Sequence, residues 1–117
     1  MDAEHIFIAL TNPVEGKEEE FNDFYDRIHV PDVLSAPGWV AAQRYVLSSE
    51  QRSDQSPPYK YIVIYEITRP EGEILAALKD REDFGPESRP DPPLWKEDNQ
   101  VWLYKKIGPR QVDERRP

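Results

Sequence analysis

The sequence predicts an α+β domain in which four strands and two helices follow one another in the order β-α-β-β-α-β. Three observations carry this. Tyr59 to Ile67 (Tyr-Lys-Tyr-Ile-Val-Ile-Tyr-Glu-Ile) is a β-branched and aromatic run, the strongest strand signal in the chain. Phe21, Phe24, Tyr25 and Ile28 fall at i, i+3, i+4 and i+7, which is one apolar face of a helix. Thr11-Asn-Pro-Val-Glu-Gly16 after the first strand is echoed by Thr68-Arg-Pro-Glu-Gly72 after the third, and each leads into a helix. Turn chemistry alone can produce so short an echo. With the element order it suits a split βαβ, ferredoxin-like arrangement: a four-stranded antiparallel sheet with two helices on one face.

The elements follow in order. His5 to Leu10 is nearly all apolar and reads as the first strand, closed by the turn signal Asn12-Pro13. Gly16 precedes Lys-Glu-Glu-Glu, which sets three carboxylates in a first helical turn, where the helix dipole favours them. Pro31 disfavours helical geometry at Val30, so this helix is expected to end or bend there with His29 in its last turn. Pro37-Gly38 turns the chain into a second strand, Trp39 to Leu47. Ser48 to Pro58 is a polar loop ahead of the third strand. Glu71 to Arg81 is a second helix with Ile74, Leu75 and Leu78 as its stripe. Gly85 to Trp95 is a proline-rich loop, and Val101 to Ile107 the last strand. One domain spans 1–107, and 108–117 is a polar tail.

Composition narrows the function classes. The net charge is -8, and such a surface repels phosphate backbones and anionic lipid, so neither nucleic acid nor membrane is an expected partner. No apolar run reaches the ~20 residues of a membrane span. The N-terminal Met-Asp-Ala-Glu has no basic, apolar leader character, and a cytoplasmic protein is expected. There is no cysteine, hence no disulfide, thiolate metal site or cysteine nucleophile.

The strand patterns bear on assembly. A sheet covered by helices on one face should alternate cleanly. Instead the third strand sets Tyr59, Tyr61, Val63, Tyr65 and Ile67 on one face and Ile62 and Ile64 on the other, and the first strand is apolar on both. In the second, Val40, Ala42 and Val46 oppose Trp39, Ala41, Tyr45 and Leu47. The chain has no spare element to cover a second apolar face. The economical solution is a homodimer with two sheets packed face to face.

The segment Phe21 to Gly38 resembles the dimeric α/β-barrel superfamily, and within it the EthD-like families. Those proteins carry an aromatic-rich helix ending in a histidine, then a Pro-Gly turn into the second strand. The matching residues here are Phe21, Tyr25, His29, Pro37 and Gly38, with Arg44-Tyr45 in the strand that follows. The resemblance implies the ferredoxin-like fold paired into a dimeric α/β barrel. It leaves the reaction open, since the superfamily includes muconolactone-type isomerases, polyketide cyclases, decarboxylases, dehydratases and cofactor-free monooxygenases. In methylmuconolactone-isomerase-like members the histidine matching His29 is an acid/base residue in a cleft between helices and sheet. The usual tryptophan-tyrosine pair before it is Phe24-Tyr25 here.

Residue logic points to the same position. An imidazole changes charge near neutral pH and can shuttle protons to and from a carbon acid. At a helix end His29 can equally cap its own last carbonyls. Tyr25 and Asn22 share its edge of the helix and can orient a substrate. Arg44, a charge amid an apolar strand, can bind a substrate carboxylate or enolate, or else pair with Glu66 or Asp26. Trp39, Tyr61, Tyr65 and Trp102 can line an aromatic pocket or form core and dimer interface. His5, at the start of the first strand, is a catalytic candidate or a solvated strand end. Leu94-Trp95 is a lid or a packed connector. Asp23, Asp26 and Asp32 are not a recognised ligand set, so no metal is expected.

The expected function is a small cofactor-independent enzyme of isomerase, lyase or cyclase type. It would move protons on an apolar cyclic or aromatic small molecule, with His29 as acid/base and Tyr25, Asn22, Arg44, Tyr65 and Trp39 around the substrate. The alternatives are a non-catalytic ligand-binding or structural dimer and a cofactor-free monooxygenase.

Overall fold

In the computed structural model, which describes residues 3–79 and 89–116, the first apolar run forms strand β1 (His5–Thr11). Helix α1 (Glu18–Phe24) follows, opening on Glu18, Glu19 and Glu20 as the dipole argument requires. A five-residue π-helical turn (Tyr25–His29) joins it to helix α2 (Val30–Val33). Strands β2 (Trp39–Val46) and β3 (Tyr61–Ile67), helix α3 (Ile74–Lys79) and strand β4 (Gln100–Lys105) complete the order.

The four strands make one antiparallel sheet in the order β2-β3-β1-β4. β1 lies between β3 and β4, with Phe7 opposite Tyr65 on one side and Leu103 on the other. The architecture is α+β and compatible with a ferredoxin-like fold. Phe21, Phe24 and Tyr25 of the first helical segment pack on Val63, Tyr65 and Ile67 of β3 and on Trp39, and Ile74 and Ala77 of α3 complete the core. Alternation in β3 is strict, with every second side chain from Tyr61 to Ile67 buried.

Several boundaries differ from expectation for identifiable reasons. The first helix does not stop before Pro31. Val30 keeps helical angles (φ -62°, ψ -47°), and the segment runs on to a cap at Leu34. A proline inside a helix removes one donor and presses on the preceding turn. The turn before it is opened to an i→i+5 pattern, in which the Val30 N–H donates to the Tyr25 carbonyl, and the wider turn absorbs the ring. In β2 a bulge between Trp39 and Ala41 shifts the register, so Trp39 shares the helix-facing side with Ala42 and Arg44 rather than opposing Ala42. The third strand starts at Tyr61. Tyr59 lies before it, its hydroxyl donating to the Asp98 carbonyl at 2.5 Å. The second helix begins at Ile74, later than expected, and its expected end at 80–81 lies outside the described residues, as does the 85–88 part of the proline-rich loop. The last strand ends at Lys105, two residues early.

The sheet face away from the helices carries Ile6, Ile8, Leu10, Ile62 and Ile64, with Tyr45, Trp102 and Tyr104 about half exposed among them. Among the described residues no helix is long and apolar enough to cross a membrane.

Candidate functional site

The π-helical turn determines what surrounds His29. In an α-helix residues five apart are roughly 140° apart around the axis and do not meet. Here Phe24 stacks on His29 with ring centroids 5.6 Å apart and planes 26° apart. Tyr25 approaches the same imidazole edge-on at 4.8 Å. The wider turn therefore brings two successive aromatic rings onto one histidine. A third, Trp95, stands 5.7 Å away from the far end of the chain. The imidazole is half-buried within this box. It is followed by the whole of α2, so it does not occupy the helix C-terminus where a capping histidine sits.

Trp95 is held by backbone bonds. The Val14 N–H donates to the Leu94 carbonyl (2.8 Å), the Lys96 N–H donates to the Asn12 carbonyl (2.9 Å), and Pro13 and Trp95 form an isolated bridge. Leu94 is buried. This part of the proline-rich loop is a packed connector, and its indole is a wall.

A cavity of about 250 Å³ reaches His29. Its floor is the sheet: Phe7, Ala9 and Thr11 of β1, Trp39, Tyr65 and Val101. Its sides are Tyr25, Val33, Leu78, Trp95 and Asn99. Trp39 presents only its ring, because its indole N–H donates to the Ile74 carbonyl. The Tyr25 phenol is pushed above its ordinary range, mainly by burial, with Thr11's hydroxyl and the Arg44 guanidinium acting the other way. It is therefore a neutral donor at physiological pH. A larger depression of about 670 Å³ lies under the serine-rich 48–58 loop, but it is polar and contains no imidazole. Of these two, the smaller cavity is the one with an imidazole in its lining.

The expected site residues divide into two groups. Tyr25, Tyr65 and Trp39 join His29 at the cavity. Asn22 and Arg44 do not. They face a separate groove on the other side of the Tyr25 ring, with Asp26, Tyr45 and Tyr61. There Arg44 Nη1 donates to Asp26 at 2.8 Å and Nη2 to Asn22 Oδ1 at 2.7 Å. Asn22 donates in turn to the Tyr61 hydroxyl, which donates to Glu18. The guanidinium lies 5.2 to 5.7 Å from the ring centres of Tyr25, Tyr61 and Phe21. The Asp26 pairing thus holds and the Glu66 alternative does not, since Glu66 sits on the opposite face of the sheet. The network ties α1 and the π-helical turn to β2 and β3, with Arg44 Nε left without a hydrogen-bond partner among the described residues.

His5 is buried at 5 % exposure, not solvated, and does not line the His29 cavity. Trp102 stands on the open sheet face, away from the cavity. Among the described residues no group of three or more metal-ligating side chains comes together. Trp95, expected as a lid or a packed connector, is a cavity wall, and Thr11 and Asn99 are cavity residues that sequence reasoning did not assign. A tryptophan set among prolines was the one available signal for Trp95.

Compared with profiles of known families, with curated proteins and with solved structures, the chain matches none.

Proposed function

We propose that the protein is a small cofactor-independent enzyme of isomerase, lyase or cyclase type that moves protons on an apolar cyclic or aromatic molecule. The observation that carries this is the cavity of about 250 Å³ that reaches a half-buried imidazole and is walled mostly by apolar and aromatic groups, with Thr11 and Asn99 as the uncharged polar exceptions. In such a hollow His29 is the group able to take a proton from a carbon acid and return it elsewhere on the same molecule. The proton leaves carbon for an imidazole nitrogen, and the electron pair moves onto a neighbouring carbonyl oxygen. Tyr25 is the nearby donor suited to that oxygen. Proton return to a different carbon completes an isomerisation with no net redox change.

The reading extends to assembly. A homodimer closed over the open sheet face, in the manner of the dimeric α/β barrels and their EthD-like families, would cover Ile8, Ile64 and Trp102. The element order and the exposed apolar face support it.

The test is solvent exchange. In D₂O the wild type is expected to speed deuterium incorporation at the α-carbon of a two-ring ketone such as 2-tetralone, followed by proton NMR. His29→Gln should lower that rate about 100-fold or more, in line with a lost general base, while keeping the fold by circular dichroism. Equal rates in the two proteins would refute acid/base catalysis and leave the cavity as a ligand-binding site.

A further inference from the structure

We propose that the ligand of the His29 cavity is an uncharged molecule of one or two fused rings, and that carboxylates are excluded from it. This rests on the reading of that cavity as the ligand site and goes beyond it in fixing the ligand's charge and size.

Size comes from the volume. A dry cavity of roughly 150 Å³ accommodates benzene. The space here, about 250 Å³, has room for one further fused ring. Shape comes from the walls. Tyr25, Trp39, Tyr65, Phe7 and Trp95 present rings, which favour a flat partner.

Charge comes from what the walls lack. Among the described residues none lining the cavity is a lysine, arginine, aspartate or glutamate. The Arg44 guanidinium lies over the Tyr25 ring, and both its terminal nitrogens are committed to Asp26 and Asn22. A carboxylate entering from water would lose its hydration and find no fixed cation, a penalty that normally drives an acid to neutralise or stay outside. A hydroxyl or ketone oxygen is different. The Tyr25 phenol, the Thr11 hydroxyl, the Asn99 amide and His29 offer enough donors and acceptors for one such group. The sequence-based expectation that Arg44 receives a substrate carboxylate is thereby replaced.

Isothermal titration calorimetry with 2-naphthol and 2-naphthoate tests the proposal, since the two share a ring system and differ in charge. The assay is run near pH 8 with the wild type and with His29→Gln, in which no cavity imidazole can supply a counter-charge. 2-Naphthol should bind at least about tenfold more tightly than 2-naphthoate, and 1-hydroxypyrene, with four rings, should bind about tenfold more weakly than 2-naphthol. Trp95→Leu should weaken 2-naphthol about tenfold and Trp95→Phe only about threefold, which places the binding in this cavity. Naphthoate binding as tightly as naphthol, pyrene binding equally well, or no naphthyl binding below about 1 mM would each overturn it. Because only binding is read, failure here is separable from failure of catalysis. Discrimination without ketone exchange sinks the acid/base role alone. His29-dependent exchange with equal naphthoate affinity sinks the ligand class alone.

Discussion

Arg44 gives the sharpest structural prediction, because its side chain is only 16 % exposed while its ionic partner Asp26 is 69 % exposed. An ion pair with so exposed a carboxylate is worth at most about 1 kcal/mol. The ring contacts are another matter. A guanidinium shielded from water over an aromatic face contributes up to about 2 kcal/mol, and Arg44 lies over three rings. Its bond to Asn22 Oδ1 adds about 1 kcal/mol, and removal leaves that oxygen with its main partner gone. Part of the gain is offset by the desolvation of the charge itself. Arg44→Met, which keeps the stem, should therefore lose about 2–3 kcal/mol, and Asp26→Asn under about 1 kcal/mol. Arg44→Lys should fall between, since it keeps the charge and loses the planar fork. Urea unfolding followed by tryptophan fluorescence measures all three. At roughly 4 °C per kcal/mol the methionine variant should melt about 8–12 °C lower than wild type. Equal losses for the Arg44→Met and Asp26→Asn variants would show that the ion pair, and not the ring cage, holds the guanidinium in place.

Three further outcomes are expected. Ile64→Lys, on the open sheet face, should convert a dimer at about 50 µM into a monomer in sedimentation equilibrium, and a monomeric wild type would end the two-copy reading. The Glu18 carboxyl is held below the ordinary 4.5 by the hydrogen bond from Lys60 and then by that from Tyr61. A lowered folded-state pKa stabilises above the unfolded value and is lost as pH falls through the folded one. The stability gap between wild type and Glu18→Gln should therefore be full near neutrality and shrink below 4.5, and a gap that widens in acid would contradict the pairing. Gly38 has φ +82°, and a Cβ there would stand 2.1 Å from Cγ of Arg69. Gly38→Ala should lose about 1–2 kcal/mol from backbone strain alone, read by thermal melting, and a loss of a few tenths would argue against this turn geometry.

Much of the fold was legible because burial writes itself as periodicity. β3 shows its two faces in the letters Tyr-Ile-Val-Ile-Tyr-Glu-Ile, and the structure buries alternate ones. Phe21, Phe24 and Tyr25 announce the helix face that reaches the core. What the letters did not show were features that depend on a change of register. The bulge after Trp39 moves that indole to the other face, and no local pattern marks it. The proline rule marks an end or a bend before Pro31 but not the opened turn that lets the helix run on, because the rule speaks of the straight α-helix. The candidate site was half legible for the same reason. His29, Tyr25 and Tyr65 were found from type and spacing, and Trp39 from type alone. Asn22 was assigned to His29's side by helical angle and faces Arg44 instead. Trp95 joins the imidazole through long-range backbone pairing with Asn12 and Val14, to which sequence proximity is blind.

The opened turn at Tyr25–His29 also has a consequence for how this chain can change over generations. An i→i+5 turn amounts to one surplus residue in the helix. Loss of a single codon between Asp26 and Ile28 would restore an even pitch and leave the core positions Phe21 and Phe24 untouched. The imidazole would then follow Tyr25 by three residues and Phe24 by four, spacings at which side chains still meet on an even helix. The extra residue can thus be lost by one small deletion that keeps both the core positions and the ring contacts of the histidine in register.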